Sequence, residues 1–185
     1  VGPAANDQVI RKALAIGADD AIRVDGADDL DSFGVASNIA AVAKNGGYDI
    51  ILLGKETISY NGSNIGGMLA ELLDQPFVSL ATKLEVSGNT ATVSREIEGG
   101  KETLQVNTPF VLSAAKGMAE QRIPNMKGIM SAKSKPLNVV PAVSTPAYTT
   151  VVKYELPPAK AAVKLVSPDN VEELITLLHN EAKAI

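Results

Sequence analysis

A run of four apolar residues followed by a loop of small residues constrains the fold of this chain more than any other segment. Residues 50–53 read Ile-Ile-Leu-Leu without polar alternation, and Gly54 follows them. Such a run is typical of a strand buried on both faces of a parallel sheet. After a loop rich in Gly, Asn and Ser, apolar residues recur at helical spacing, at Ile65, Met68, Leu69, Leu72 and Leu73. The segment therefore predicts a strand, a loop and a helix.

Helix and strand patterns also alternate ahead of this segment. A helix is predicted over residues 6–16, with Gly17 as its C-terminal cap. A short strand is predicted at residues 21–24, and Asp31 or Ser32 is expected to cap a second helix. This order predicts an α/β fold with a mostly parallel sheet and flanking helices, a Rossmann-like arrangement.

The pattern changes to a period of two between residues 78 and 106. Apolar and polar residues alternate on three predicted strands, and turn residues lie at 87–89 and 99–100. Alternation of this kind indicates an antiparallel meander with one solvated face. Residues 110–112, Phe-Val-Leu, predict a return to a buried strand.

The part of the chain after residue 135 is expected to lie outside the α/β domain. Residues 116–135 predict a long loop with one short helix near its end, and five prolines between residues 136 and 158 predict an extended arm. A final helix is predicted with Ser167 as its cap, Pro168 in its first turn and Lys183 near its end. Its apolar stripe comprises Val171, Leu174, Ile175 and Leu178. We expect one α/β domain over residues 1–135, and an arm and helix over residues 136–185 that pack on a partner.

Composition excludes several classes of protein. The formal net charge is −4, which argues against a nucleic-acid binder, and 45% hydrophobic residues are typical of a globular chain. The absence of cysteine excludes disulfides and thiolate chemistry. No apolar run approaches the roughly 20 residues that span a bilayer, so no membrane insertion is expected. The chain starts at Val1 rather than Met and reads like the interior of a protein, so we expect the domain to lack its beginning.

The loop and helix start after residue 54 form the best candidate for a ligand site. In open α/β sheets, ligands bind beyond the carboxyl ends of the strands, and a helix N-terminus attracts phosphate. Gly62, Gly66 and Gly67 would allow close approach of the backbone to such a ligand. The segment matches neither a Walker loop nor a G-x-G-x-x-G motif. A nucleotide site and an ordinary capped helix both fit it.

No set of residues predicts catalysis or metal binding. His179 is the single histidine and is expected to be a surface or packing residue, because a catalytic histidine needs an orienting partner. The acidic pairs at 19–20 and 28–29 read as turns without further ligands. Three methionines, at positions 118, 126 and 130, fall in the basic loop, where protein docking and core packing are both possible roles.

Five stretches, in order along the chain, resemble the β subunit of electron transfer flavoprotein. Residues 2–4 and 13–19 are similar to its "GPA" and "ALAMGAD" stretches, and residues 53–55 to the opening of its nucleotide loop. Residues 95–104 are similar to its "REIDGGLET" hairpin. Its recognition loop is matched by Glu120, Arg122, Ile129, Met130, Ala132 and Lys133, and its arm before the last helix by residues 157–158 and 162–164.

The resemblance implies an electron carrier subunit without its own catalytic residues. In the family, an α/β heterodimer holds FAD, mostly on the α subunit, and passes electrons from acyl-CoA and other dehydrogenases to a quinone-linked oxidoreductase. The β subunit holds a structural AMP and docks the dehydrogenase, and its last helix packs on the α subunit. The docking residues would be Met126, Arg122 and Ile129. The AMP site would comprise Val1, Gly54, Lys55, Ser59, Asn61, Gly62, Ser63, Asn64, Ile65 and Gly66.

Departures from the family pattern shape these expectations. The family's AMP loop reads "DDDxNQTGQ", whereas here Ile65 replaces the threonine and the acidic run is lost, so Ser63, Asn64 and backbone N–H groups would hold the phosphate. The "DGDTAQ" pattern of electron-bifurcating members is lacking, which indicates the non-bifurcating type. A bacterial cytoplasm, or else a mitochondrial matrix, is the expected location. Two alternatives stay open: a stand-alone nucleotide-binding regulatory domain of the universal-stress type, and a small-molecule enzyme.

Overall fold

The computed structural model describes residues 1–160 and 162–185, and the chain divides into two compact units. The first unit, Val1–Val151, contains helices α1 (Asp7–Ile16), α2 (Ser32–Ala43), α3 (Ile65–Leu73) and α4 (Met126–Ala132). Its strands are β1 (Ala21–Asp25), β2 (Ile50–Gly54), β3 (Phe77–Ser87), β4 (Thr90–Ile97), β5 (Gly100–Asn107), β6 (Phe110–Ala114) and β7 (Leu137–Pro141). The second unit, Val152–Ile185, contains helix α5 (Val171–Asn180). Among the described residues, no helix combines the length and the apolar character needed to cross a membrane.

The strands form two sheets that combine parallel and antiparallel pairing. Strands β1 and β7 form a two-stranded parallel sheet. The other sheet has the order β2-β6-β3-β4-β5, in which β6 lies parallel to both of its neighbours and β3, β4 and β5 run antiparallel. The predicted α/β fold, with a mostly parallel sheet, flanking helices and an added antiparallel meander, is confirmed. Among the described residues, three of the five strand pairings are parallel, and the two antiparallel pairings form the meander.

Strand β6 is the centre of the core. Phe110, Val111 and Leu112 have no exposed surface. Phe110 and Leu112 pack in one apolar cluster with residues of β3 and β4, while Val111 packs on the opposite face with Leu69 of α3 and Ala40 of α2. Side chains alternate between the faces of a strand, so this unbroken apolar strand has a packed layer on both sides.

Strand β2 was predicted to be buried on both faces, and this prediction is wrong. Leu52 is 55% exposed, and the remaining residues of β2 are half-buried or exposed. The strand lies at an edge of its sheet and pairs with β6 alone. Ile50 and Leu52 of β2, with Ile22 and Val24 of β1, line an open cavity of about 360 Å³. The apolar run reflects this cavity as well as the packed core.

The extended arm predicted from residue 136 onward begins later than expected. Residues 137–141 form β7, which pairs along its whole length with β1. Pro136 precedes this strand and Pro141 is its last residue, and the carbonyl of Pro136 still accepts a hydrogen bond of 3.1 Å from Ala21 N–H. Proline is tolerated at the ends of an edge strand because its missing N–H is not needed there. The prolines therefore did not prevent a strand.

Helix α5 begins later than its sequence signals predicted. Ser167 was expected to be the cap, but the N-cap is Asn170, whose side chain accepts a hydrogen bond of 3.3 Å from Glu173 N–H. A turn precedes the helix, because Asn170 N–H donates to the Ser167 carbonyl at 2.9 Å. Lys183 lies beyond the last helical residue rather than in the last turn.

Candidate functional site

The loop after β2 lies at the carboxyl edge of the parallel strands. The N–H of Lys55 donates to the Ala114 carbonyl at 3.1 Å, so this loop starts beside the end of β6. Thr57 organises the turn that follows. Its N–H donates to the Gly62 carbonyl at 2.9 Å, its carbonyl accepts from Asn61 N–H at 3.1 Å, and its hydroxyl accepts from Gly62 N–H at 3.3 Å. The loop is therefore closed on itself by one threonine.

The head of α3 presents backbone donors and uncommitted side chains. The first hydrogen bond of the helix runs from Met68 N–H to the Asn64 carbonyl, so the N–H groups of residues 65–67 have no partner inside the helix. Asn64 is the N-cap residue, but its side chain makes no capping hydrogen bond. Ser63 and Asn64 are both exposed. Together with the positive end of the helix dipole, these groups can bind a phosphate, to which the backbone N–H groups would donate hydrogen bonds.

Gly66 has a packing role that sequence reasoning missed. A Cβ atom at Gly66 would lie 2.8 Å from the ring of Phe77 on β3, and Gly66 is buried. The absence of a side chain therefore allows α3 to pack against β3. Nothing in the sequence pairs positions 66 and 77. The role of Thr57 in closing the loop was missed for a different reason, the weakness of its local signal. A threonine followed five residues later by a glycine is only a weak turn signal.

The predicted nucleotide residues other than Val1 lie in one continuous segment, and Val1 comes from the start of the chain, next to β1 and β2. Residues 54–66 form one continuous loop and helix start in which Lys55, Ser59, Asn61, Ser63 and Asn64 are exposed. Lys55 Nζ is 2.9 Å from a carboxylate oxygen of Glu56. Val1 is beside the end of β1, where Gly2 N–H donates to the Val24 carbonyl at 2.9 Å, and its side chain lines the cavity next to β2.

The predicted docking residues lie on and before α4. Asn125 caps this helix by accepting a hydrogen bond of 2.8 Å from Gly128 N–H. Met126 is 73% exposed and Met130 is 68% exposed, one helical turn apart, while Ile129 is 43% exposed. Ala132 is buried. The short helix predicted near the end of the loop is confirmed, and it presents an apolar outer face.

The third methionine of the segment has the other role that the sequence allowed. Met118 is partly buried and packs against the apolar cluster of β3, β4 and β6. Arg122 is exposed, and its guanidinium lies near the position that a side chain at Gly17 would occupy, at 3.6 Å. The three methionines therefore divide between core packing and an exposed surface.

Helices α1 and α4 cap each other at their C-termini. Arg11 of α1 donates to the carbonyls of Ala132 and Lys135 at 2.7 and 2.6 Å. Lys135 in turn donates from Nζ to the carbonyls of Leu14 and Ala18 at 3.0 and 2.5 Å. Cations at a helix C-terminus satisfy its last carbonyls and interact favourably with its dipole. The segment that carries Met126 is thus attached to α1 by two cations, Arg11 from α1 and Lys135 from the residues that follow α4.

Asp31 holds the end of the first unit to α2. One carboxylate oxygen caps α2 by accepting from Gly34 N–H at 2.8 Å, and the other accepts from the N–H groups of Tyr148 and Thr149 at 2.7 and 3.1 Å. The rings of Phe33 and Tyr148 contact edge to face. These backbone hydrogen bonds, first that from Gly34 and then that from Tyr148, hold the pKa of Asp31 below its ordinary value.

Helix α5 leaves its apolar stripe exposed. Val171, Leu174 and Ile175 are 57%, 43% and 52% exposed. Within the second unit, Lys164 pairs with Glu181 at 3.0 Å, and His179 Nδ1 lies 3.0 Å from the Ile185 carbonyl. The predicted position of His179 at the surface is confirmed.

Comparison with known proteins identifies the family. The sequence profile of the electron transfer flavoprotein domain matches residues 1–145. The chain is 34% identical over 199 residues to electron transfer flavoprotein subunit beta of Bacillus subtilis, with 100% of this chain and 77% of that protein covered. The subunit beta of Syntrophomonas wolfei is 38% identical over 153 residues, covering 83% of this chain and 61% of that protein. That of Mus musculus is 35% identical over 185 residues, covering 96% and 72%. The chain therefore belongs to the electron transfer flavoprotein family, on the β-subunit branch.

Proposed function

We propose that the chain is the β subunit of a heterodimeric, FAD-containing electron transfer flavoprotein. It would carry electrons from dehydrogenases, such as acyl-CoA dehydrogenases, to a quinone-linked oxidoreductase, without catalytic residues of its own. The observation that carries the proposal is the match to the family profile over residues 1–145 together with subunit beta relatives that cover nearly the whole chain. Family membership favours this function over a universal-stress domain or a small-molecule enzyme. A bacterial cytoplasm or a mitochondrial matrix is the proposed location, since relatives come from bacteria and from mitochondria.

The first partner would be the α subunit. Helix α5 supports this assignment, because Val171, Leu174 and Ile175 form an apolar stripe that the chain leaves exposed. Packing this stripe on another subunit would remove apolar surface from water, which favours association. In the proposed division of labour, the first unit, Val1–Val151, is the α/β domain, and the second unit, Val152–Ile185, with the last helix packs on the partner. FAD, bound mostly to the α subunit, would take up and release the electrons.

The second ligand would be AMP at the head of α3. Backbone N–H groups of residues 65–67 and the exposed side chains of Ser63 and Asn64 suit a phosphate group. Gly54, Lys55, Ser59 and Asn61 would line the remainder of this site, with Val1 at its border. In this assignment, Gly62 and Gly66 act indirectly, since Cβ atoms there would contact Tyr60 and Phe77. The nucleotide would be structural and take no part in electron transfer.

Co-expression with a family α subunit tests the proposed assembly. We expect a yellow heterodimer whose flavin spectrum and released FAD agree with one flavin per complex. Two separate, colourless proteins would contradict the proposal.

A charge substitution tests the AMP site. Ser63→Asp would place a carboxylate beside the proposed phosphate and repel it. We expect the purified heterodimer to retain little AMP, measured by mass spectrometry of the nucleotide that denaturation releases. Ser87→Asp, at the exposed end of β3, is the matched control. Equal AMP content in both variants would place the nucleotide elsewhere.

A second substitution tests docking of the dehydrogenase. Met126→Ala removes the most exposed apolar side chain of α4. In the heterodimer we expect a raised KM for the flavoprotein as electron acceptor of an acyl-CoA dehydrogenase, with unchanged FAD content. An unchanged KM would contradict docking through α4.

A further inference from the structure

The contact between α1 and α4 contains a glycine that the backbone conformation does not require. Gly128 lies inside α4, where any residue with a side chain can adopt the helical backbone, and glycine is a poor helix former. A Cβ atom at this position would lie 2.3 Å from the backbone carbonyl oxygen of Ala15 in α1. A backbone oxygen inside a helix cannot turn aside as a flexible side chain could. The glycine therefore permits a close approach of the two helices.

The residues of α4 divide into an inner and an outer face. Gly128 and Ala132, four residues apart, face α1 and the core. Met126 and Met130 have the same spacing and are highly exposed. Residues four apart share one face of a helix, so the two pairs lie on nearly opposite sides. The position of the methionines in space is therefore determined by how closely the small residues approach α1.

The reciprocal caps hold this arrangement in place. Arg11 and Lys135 each donate two hydrogen bonds to carbonyls at the C-terminus of the partner helix, at distances between 2.5 and 3.0 Å. Because both cations reach the backbone rather than mobile side chains, they fix one relative placement of α1 and α4. The close contact at Gly128 and the caps act at the same interface.

We propose that Gly128 is a positioning residue of the docking surface. By allowing α4 to lie directly on the last turn of α1, it sets the height and orientation at which Met126 and Met130 meet the dehydrogenase. The inference rests on the proposed docking function and assigns to Gly128 the geometry of that surface. It predicts that a single added methyl group on the hidden face of α4 impairs docking without touching the partner.

The test uses Gly128→Ala in the complete heterodimer with FAD. The added methyl group forces α4 away from Ala15, while alanine raises the intrinsic helix propensity of α4, so loss of the helix itself is not expected. We expect the KM for the flavoprotein in the dehydrogenase assay to rise about tenfold, equivalent to 1.4 kcal/mol. The saturating rate should stay within about twofold, because electron transfer in the docked complex is unaffected. Gly100→Ala is the control, since a Cβ there has no neighbour within 4 Å.

A second variant keeps the proposal testable if Gly128→Ala fails to fold. Lys135→Met removes one of the caps, and we expect the KM to rise about threefold, with Lys135→Arg close to the unchanged protein. Lys44→Met removes the same charge from an exposed position at the end of α2 and should have little effect. An unchanged KM for folded Gly128→Ala, or for Lys135→Met if the former does not fold, overturns the positioning role while the docking function stands on Met126→Ala. Unchanged KM values in all of these variants, Met126→Ala included, overturn both.

Discussion

Helices α4 and α5 both expose apolar side chains, but they differ in how the chain holds them. Helix α4 packs on α1 through Gly128 and Ala132, and charged side chains satisfy the carbonyls at its C-terminus. In the second unit, the contacts of α5 are those to its own flanking residues, such as the bond between Lys164 and Glu181. Its apolar stripe remains exposed. The comparison indicates that α4 is held by contacts within its own unit, whereas the contacts described within the second unit leave the apolar stripe of α5 exposed.

The largest expected effect contrasts a buried residue of α1 with an exposed residue of α5. Leu14 belongs to α1, the helix on which α4 packs, and is 1% exposed, whereas Val171 of α5 is 57% exposed. Leu14→Ala should lower the free energy of unfolding of the isolated chain by about 2–5 kcal/mol because a cavity replaces the side chain. Val171→Ala should change it by less than about 0.5 kcal/mol. Urea unfolding followed by circular dichroism measures both. Similar losses would mean that α5 already packs in a core of its own.

The second prediction moves the comparison into the heterodimer. Ile175→Asp places a charge in the apolar stripe of α5, and burying an unpaired charge is unfavourable. We expect the affinity for the α subunit to fall about a hundredfold, or 2.7 kcal/mol. Thr176→Asp adds the same charge to the adjacent position outside the stripe and should bind normally. Isothermal titration of the two subunits provides the measurement. Equal affinities would remove α5 from the interface.

The same two helices show how far the sequence could predict the structure. Periodicity correctly predicted α5 and its apolar stripe, because this pattern is local, whereas α4 was predicted only as one short helix near the end of a long loop. It missed the start of α5 by three residues, because the choice between Ser167 and Asn170 as cap depends on the turn before the helix. It also missed β7, whose pairing with β1 is a contact between distant parts of the chain.

The candidate site was predictable in position but not in its internal contacts. The loop after β2 lies at the carboxyl edge of the strands, as the general rule for open α/β sheets requires. The roles of Thr57, Gly66 and Gly128 could not be read from the sequence. Gly66 and Gly128 depend on atoms that tertiary packing brings near, the Phe77 ring and the Ala15 carbonyl, whereas the contacts of Thr57 are local but carry only a weak turn signal.

The third prediction concerns the cap that α1 provides. Arg11→Met removes two charged hydrogen bonds to the carbonyls after α4, and such bonds contribute about 1.5 kcal/mol each at the low end. We expect the amides of residues 130–133 to lose about a hundredfold in hydrogen-exchange protection, while those of α5 stay unchanged. Lys12→Met removes the same charge from an exposed neighbour on α1. Equal protection in the two variants would show that packing alone holds α4.

The smallest expected effect concerns the end of the first unit. It tests whether Asp31 anchors residues 148 and 149 to α2. Asp31 accepts hydrogen bonds from Tyr148 and Thr149, and its pKa is lowered below the ordinary value of 3.8. A carboxyl group whose pKa is lower in the folded state stabilises that state above the ordinary pKa, and the stabilisation is lost as the pH falls through the lowered pKa. We therefore expect the amide NMR signals of residues 148 and 149 to shift as the pH falls from about 5 to about 2, ahead of those of α4.

Asp31→Asn separates the charge from the cap in this last experiment. Asparagine can still cap α2, but it has one acceptor oxygen and does not titrate in this range. The amides of residues 148 and 149 should then show no acid-dependent shift, while α2 remains helical. Asp29→Asn, at an exposed neighbouring carboxylate, should leave the titration as it was. If the amide signals of residues 148 and 149 shift equally in all three proteins, Asp31 does not anchor them. The segment before the second unit would then be held to α2 through Val143, whose N–H donates to Asn38 Oδ1 at 2.8 Å, and not through Tyr148 and Thr149.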